Sequence, residues 1–319
     1  MKKFFSKKII SYLAKQGFNK ISNISEMKDG INSKVYKFVS KNKFFILKVY
    51  NYKNNSSIKR ELLFYKYLNK IRNQQVIKPI NFDINLNLAI YPFIEGIKIK
   101  RVSNREILQM ANFINNINKK KNKINLPIAV DGIQNRSDHL KLCEIKLKKL
   151  KSIKFKSNIE KKCKNFLNEK LIPKFKDLKK SYKQNHNLYL SNLNLKKKKL
   201  IVSPSDFGFH NSIKSKNRLY IIDFEFAGLD DPVKLICDFL CQPDQFINKK
   251  QKKYFLEMLS LRGYSLEELK YYTEVYLPFH KIKWCCIILN IFKNKIKTNK
   301  NLIMLYQLNK AKTYFKKNF

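Results

Sequence analysis

The sequence predicts an α+β chain of two lobes: a small N-terminal sheet lobe with one crossing helix, then a larger, mainly helical lobe. Three observations predict it. Alternating apolar residues and turn signals are concentrated in residues 20–92. Beyond residue 93 the apolar spacing is mostly helical. Inside that helical part, residues 205–223 read as a loop followed by a strand that ends in an acid. The lobes are placed at residues 1–92 and 93–319. Only 7 Gly and 8 Pro leave little room for linkers, and 24 Phe with 17 Tyr supply core material for both lobes.

Residues 1–16 read as an amphipathic helix. Residues 26–39 place a turn at Asp29-Gly30 ahead of an alternating strand. Residues 43–50 form a second strand, in which Lys48 stands among Ile46, Leu47, Val49 and Tyr50. Ser56 and Ser57 are N-cap candidates for a helix whose apolar residues include Ile58, Leu62, Phe64, Leu68 and Ile71. Glu61 lies in that helix. In the second lobe, helices are expected at 102–119, 137–150 and 157–184, the last broken at Pro173. Residues 188–190 and 200–202 read as short strands before the loop. Further helices are expected at 232–240, 249–261, 265–276 and 278–292, with Ser265 and Glu268 as a capping box.

The chemistry is carried by Asp206, Asn211 and Asp223: a loop carboxylate, an amide five residues on, and a carboxylate at the end of the strand 218–223. A loop Asp can take a proton from a hydroxyl. An amide and a carboxylate offer the hard oxygens that magnesium shares with phosphate. Loop Asp and Asn residues more often cap helices and make turns. The upstream half supplies complementary parts in order. The turn at 29–30 can lie over a triphosphate, Lys48 can reach its phosphates, and Glu61 can pair with Lys48. That set is the division of labour of phosphoryl transfer.

These residues resemble the aminoglycoside phosphotransferase and choline kinase family, over roughly residues 20–290. The resemblance is carried by Gly30-Ile31-Asn32-Ser33, Lys48, Glu61 and the linker Leu88-Ala89-Ile90-Tyr91-Pro92-Phe93-Ile94-Glu95-Gly96. It continues in Asp206 with Asn211 and in Asp223-Phe224-Glu225. It implies a protein-kinase-like two-lobe fold, with ATP and Mg2+ as cofactors. By the resemblance, Gly30, Asn32 and Ser33 form the phosphate loop, Lys48 contacts the α- and β-phosphates, and Glu61 pairs with it. The Pro92 carbonyl and the Ile94 N–H would hold adenine. Asp206 would be the catalytic base, and Asn211 and Asp223 the magnesium ligands. The chain departs from the family's pattern in three places. Pro204 and Gly208 stand where the family often has His, and Leu235 where it tends to have Asp, with Asp238 three residues later. These departures mark a divergent subgroup, so the acceptor is not carried over.

The expected activity is ATP- and magnesium-dependent transfer of the γ-phosphate to a hydroxyl of a small molecule. His280, Lys283 and Trp284 share a helical face by spacing and are expected to line the acceptor pocket, with Trp284 alternatively in the core. Their character and the basic chain favour a neutral or anionic acceptor, a sugar or sugar derivative, over a polycation. Alternatives are an amino-alcohol kinase of choline or ethanolamine type, and a non-catalytic nucleotide-binding or basic RNA-associated protein.

The net charge is +45, from 68 Lys and Arg against 23 acids. Such a balance suits nucleic-acid binding. Here the basic residues are spread along a chain dominated by Lys, Asn and Ile, as an A- and T-rich coding bias produces. No aromatic-and-basic RNA-binding signature and no zinc-finger spacing stands in the sequence, so no specific nucleic-acid partner is expected. The six cysteines form no C-x-x-C pair and sit among apolar residues. Buried, reduced thiols and a cytoplasmic location are expected. No secretory leader is legible at the N-terminus, and the apolar run 284–289 is too short to span a bilayer.

Overall fold

The computed structural model describes residues 5–27, 33–51, 56–119, 125–185, 200–243, 247–293 and 300–319. The N-terminal lobe is a five-stranded antiparallel sheet of order β1-β2-β3-β5-β4. Its strands are β1 (Ile21–Met27), β2 (Ser33–Ser40), β3 (Lys43–Tyr50), β4 (Asn81–Asp83) and β5 (Leu88–Pro92). Helix α1 (Lys7–Lys15) starts at Ser6, whose hydroxyl accepts from the Ile9 N–H, and its Ile9, Tyr12 and Leu13 are buried. They pack with Phe38, Leu47 and Ile90 of the sheet. The two-residue period of a strand then settles where Lys48 points. Leu47 and Val49 turn toward α1, while Ile46, Lys48 and Tyr50 turn to the other face.

Helix α2 (Ser56–Lys70) crosses that second face. Ile58, Glu61, Phe64, Tyr65 and Leu68 lie on its buried stripe. An acid on a core face is costly unless it is paired. Glu61 is 1% exposed, so it marks a polar centre rather than a packing position.

The helical lobe begins with α3 (Asn104–Asn118), α4 (Asp138–Lys151) and α5 (Asn158–Phe166). A π-turn (Leu167–Leu171) joins α5 directly to α6 (Ile172–Asn185). The break expected at Pro173 is therefore absent. A proline clashes with the carbonyl four residues back, and the wider turn just ahead of Pro173 accommodates that misfit. Strands β6 (Ile201–Ser203) and β9 (Gly228–Asp230) pair, as do β7 (Ser212–Ser215) and β8 (Arg218–Ile221). Then come α7 (Pro232–Leu240), α8 (Lys249–Met258), α9 (Leu266–Ile288) and α10 (Lys300–Asn318). The strand expected at 188–190 lies outside the described residues.

Helix α9 corrects a second expectation: Pro278 sits inside one continuous helix. Burial of Tyr276, Phe279 and Ile282 around it outweighs one lost backbone bond. Ser265 caps this helix, its hydroxyl accepting from the Glu268 N–H at 3.0 Å. The segment Leu266–Lys293 is long and apolar enough by composition to cross a membrane, yet 61% of its apolar window is buried inside the fold. That is the setting of a core helix, packed with α4, α7 and α10 in the second hydrophobic cluster. All six cysteines are free and buried, and all six lie in that cluster.

Several contacts tie the lobes, among them the following. Phe224 is fully buried against Phe64, Tyr65 and Phe113, so one ring staples α2 to α3. The Ile221 N–H donates to the Gln75 carbonyl at 2.8 Å. The linker pairs with β7 through Ile97 and Lys214, at 2.9 and 3.0 Å. Gly96 permits this last approach. A Cβ there would stand 2.5 Å from the Ile213 Cγ2 and 2.7 Å from the Lys214 carbonyl oxygen. Gly96→Ala is expected to cost about 1–3 kcal/mol, the usual penalty of overpacking against groups that cannot give way. Urea unfolding checks this, and an unchanged midpoint would remove the claim.

Candidate active site

The site is built on the cleft between the sheet and the loop after β6. Lys48 Nζ lies 2.8 Å from Glu61 Oε2, 2.8 Å from Asp223 Oδ1 and 3.9 Å from Glu225 Oε2. Burial alone would pull the ammonium's pKa down, but the carboxylates outweigh it and hold Lys48 above its ordinary value. Glu61 is fixed in turn. Tyr50 donates to its Oε2 at 2.7 Å and Tyr91 to its Oε1 at 3.1 Å. Burial pushes both phenols well up, so they remain donors. The expected Lys48–Glu61 pair is present, and it extends across the cleft to Asp223.

Asp223 follows β8 with φ +66°, in the left-handed region. Ser205, just ahead of Asp206, has the same φ of +66°. Non-glycine residues reach this region at a cost, and such strain collects where geometry serves function. The Ile222 N–H donates to the Asn211 carbonyl at 3.0 Å, which locks the end of β8 to the loop carrying Asp206. Asn211 Nδ2 donates to the Asp206 carbonyl at 2.9 Å and to its Oδ2 at 3.2 Å. His210 Nε2 lies 3.2 Å from Asp206 Oδ1. Burial would raise the Asp206 pKa, but His210 and Asn211 hold the carboxyl below its ordinary value. Asp206, Asn211 and Asp223 thus belong to one connected assembly.

A cavity of about 180 Å³ opens beside Lys48. Val35, Ile46, Tyr65, Ile213 and Ile222 give it apolar walls, and Pro92 and Ile94 line it too. The intervening Phe93 N–H is taken by the Phe44 carbonyl at 3.2 Å. Ser33 donates to Glu225 Oε2 at 3.2 Å, joining the start of β2 to the segment after Asp223. Gly30 and Asn32 lie outside the described residues.

The acceptor residues need correction. His280 and Lys283 are 1% and 4% exposed and are bonded to Asp238 beneath the site. Trp284 is 8% exposed and belongs to the second hydrophobic cluster. One-turn spacing put the three residues on one face, and that face packs inward. Asp238 also holds Lys234, at 3.1 Å. Burial would raise the Asp238 pKa, but Lys283 and Lys234 set it well below the ordinary carboxylate range. The network continues through His139 to Asp231, which Arg136 holds at 2.9 Å.

Four parts of the site were not singled out from sequence. Glu225 was seen only as part of its segment. Tyr50 and Tyr91 converge on Glu61 from adjacent strands, which only the β3–β5 register reveals. The Asp206–His210 contact left one signal, a four-residue spacing.

Two lobes, a five-stranded sheet and a lysine held between a helix glutamate and a strand-end aspartate leave few architectures open. Among solved structures, a spectinomycin phosphotransferase in complex with ADP and spectinomycin superposes with a TM-score of 0.65. It shares 15% identity, over 99% of this chain and 94% of that one. The fold is that of the aminoglycoside and choline kinases. A choline kinase from Streptococcus pneumoniae matches with a TM-score of 0.62 and 15% identity, over 98% of both chains. A Plasmodium vivax ethanolamine kinase matches with a TM-score of 0.61 and 15% identity, over 98% of this chain and 91% of that one. No family model matches the sequence, and no curated protein matches it.

Proposed function

We propose that the protein is an ATP- and magnesium-dependent phosphotransferase acting on a hydroxyl of a small molecule. The observation that carries this reading is Lys48, held at 2.8 Å by both Glu61 and Asp223 at the mouth of an apolar cavity. A buried lysine tied to carboxylates from both lobes is suited to triphosphate binding, and the walls of the cavity are suited to a purine. In this reading the Pro92 carbonyl and the Ile94 N–H, on residues that line the cavity, hold adenine. Gly30, Asn32 and Ser33 complete the phosphate loop in this reading. Asp206 takes the proton of the attacking hydroxyl as the general base.

Magnesium fits the donors present. The Asp223 side chain is 38% exposed, and Lys48 occupies its Oδ1. Asn211 spends its Nδ2 on Asp206, which leaves its amide oxygen for a cation. Among the described residues no group of three His, Cys, Asp or Glu side chains is placed to hold a metal ion by itself. Two protein oxygens are enough for an ion that keeps waters and borrows phosphate oxygens. When bound, the metal would neutralise charge on the transferred phosphate.

Burial of His280 and Lys283 against Asp238 removes the cationic lining that favoured a sugar. The acceptor reading therefore stops at a hydroxyl-bearing small molecule. Calorimetry with ADP, with and without magnesium, tests the nucleotide site. Asp223→Ala is expected to abolish the magnesium-dependent part of binding. An unchanged titration in that variant would sink the metal assignment. ADP release with sugars, choline, ethanolamine and aminoglycosides then identifies the acceptor.

A further inference from the structure

Gly208 needs a reason. Its φ is 178°, extended backbone that any residue adopts, so its being glycine is not a matter of conformation. It is a matter of space. A Cβ at this position would stand 2.7 Å from His210 Nδ1, 2.9 Å from His210 Cε1 and 3.1 Å from Gln242 Cδ. The imidazole of His210 lies over the α-carbon of Gly208, and from there its Nε2 reaches Asp206 Oδ1 at 3.2 Å. The other ring nitrogen, Nδ1, is buried without a partner among the described residues, and so is Gln242 Nε2. Asp206 is thus the ring's one polar anchor among the described residues. A casual surface pair four residues apart would not require an empty α-carbon beneath it.

Given the kinase reading above, we infer that His210 is a positioning residue: its Nε2–H holds the Asp206 carboxylate in one orientation, and Gly208 is glycine to admit the ring. A carboxylate accepts and cannot donate, so the nitrogen facing it carries the hydrogen, and in the neutral ring Nδ1 is the one that keeps its lone pair. Asn211 fixes Asp206 Oδ2 and His210 fixes Oδ1, so both carboxylate oxygens are oriented. A general base must meet its proton at hydrogen-bond distance, and a misplacement of about 1 Å can cost ~10²-fold in rate.

The test uses the full chain with 15N-labelled histidine at pH 8, read by ring nitrogen NMR. The expected result for His210 is the tautomer with hydrogen on Nε2. Gly208→Ala is expected to abolish that signature while ADP binding by calorimetry stays unchanged. A ring with hydrogen on Nδ1, or a spectrum unmoved by Gly208→Ala, would overturn the inference. Turnover gives the second readout, taken as ATP hydrolysis with water as the acceptor. His210→Gln places a donor where Nε2 stood and is expected to stay within about threefold of wild type. His210→Asn falls short of Asp206 and is expected to lower kcat about 10–100-fold with KM for ATP unchanged. Equal activity of the Gln and Asn variants would also overturn it. The ring spectrum does not depend on turnover. Failure of the kinase reading would show instead as full activity in Asp206→Asn, or as loss of ADP binding in the unaltered chain.

Discussion

Asp206→Asn is expected to lower turnover by roughly 10²–10⁴-fold, the usual contribution of a positioned general base. Nucleotide binding should persist. The reason lies in how the loop is built. Ser205 is held at φ +66°, the Asp206 N–H donates to the Pro204 carbonyl at 3.0 Å, and Asn211 grips both the Asp206 carbonyl and its side chain. The side chain is 36% exposed, so an acceptor can reach it. Its depressed pKa keeps it ionised at neutral pH and able to take a proton. An amide of the same shape keeps an acceptor oxygen but has no basic site. Loss of activity with unchanged ADP affinity and an unchanged unfolding midpoint is the expected pattern. Full activity would refute the base assignment.

The second large effect concerns stability. Asp238→Ala should cost about 3–5 kcal/mol, the range seen when one partner of a buried ion pair is removed. Asp238 is 5% exposed and serves Lys234, Lys283 and His280 together. Lys234 would keep Asp230 at 2.9 Å. Lys283, 4% exposed, would lose its carboxylate. The cost is therefore mainly that of a stranded charge, which gives a sharper test than the single variant. Adding Lys283→Met removes the stranded ammonium and should recover a large part of the loss. Urea unfolding at constant m-value reads both variants. A double variant less stable than the single one would show that packing, rather than charge, sets the cost.

The same network explains a limit of reading this site from sequence. His280, Lys283 and Trp284 share a helical face, and their spacing says so correctly. Spacing does not say which way the face turns. Asp238 lies on another helix, 42 residues before His280, and only the packing of α7 on α9 brings them together. Pro173 and Pro278 make a related point. Each is a strong local breaker, and each stands in a helical run that survives because a π-turn or buried neighbours accommodate it.

Sequence alone determined the two-lobed α+β fold, an alternating strand after the turn at 29–30, the strand at 43–50, and the crossing helix that carries Glu61. It also gave the order of Lys48, Glu61, Asp206, Asn211 and Asp223. These follow from periodicity and from residue types whose chemistry is local. Tertiary structure alone decided that Asp223 reaches Lys48 across 175 residues. It decided that Tyr50 and Tyr91 hold Glu61, that His210 lies over Gly208 to reach Asp206, and that the basic face of α9 is neutralised inside the core. The physical reason is the range of the interactions. Hydrophobic period and turn chemistry act over a few residues, whereas a hydrogen bond needs its partner within about 3 Å, and only the folded chain sets that distance.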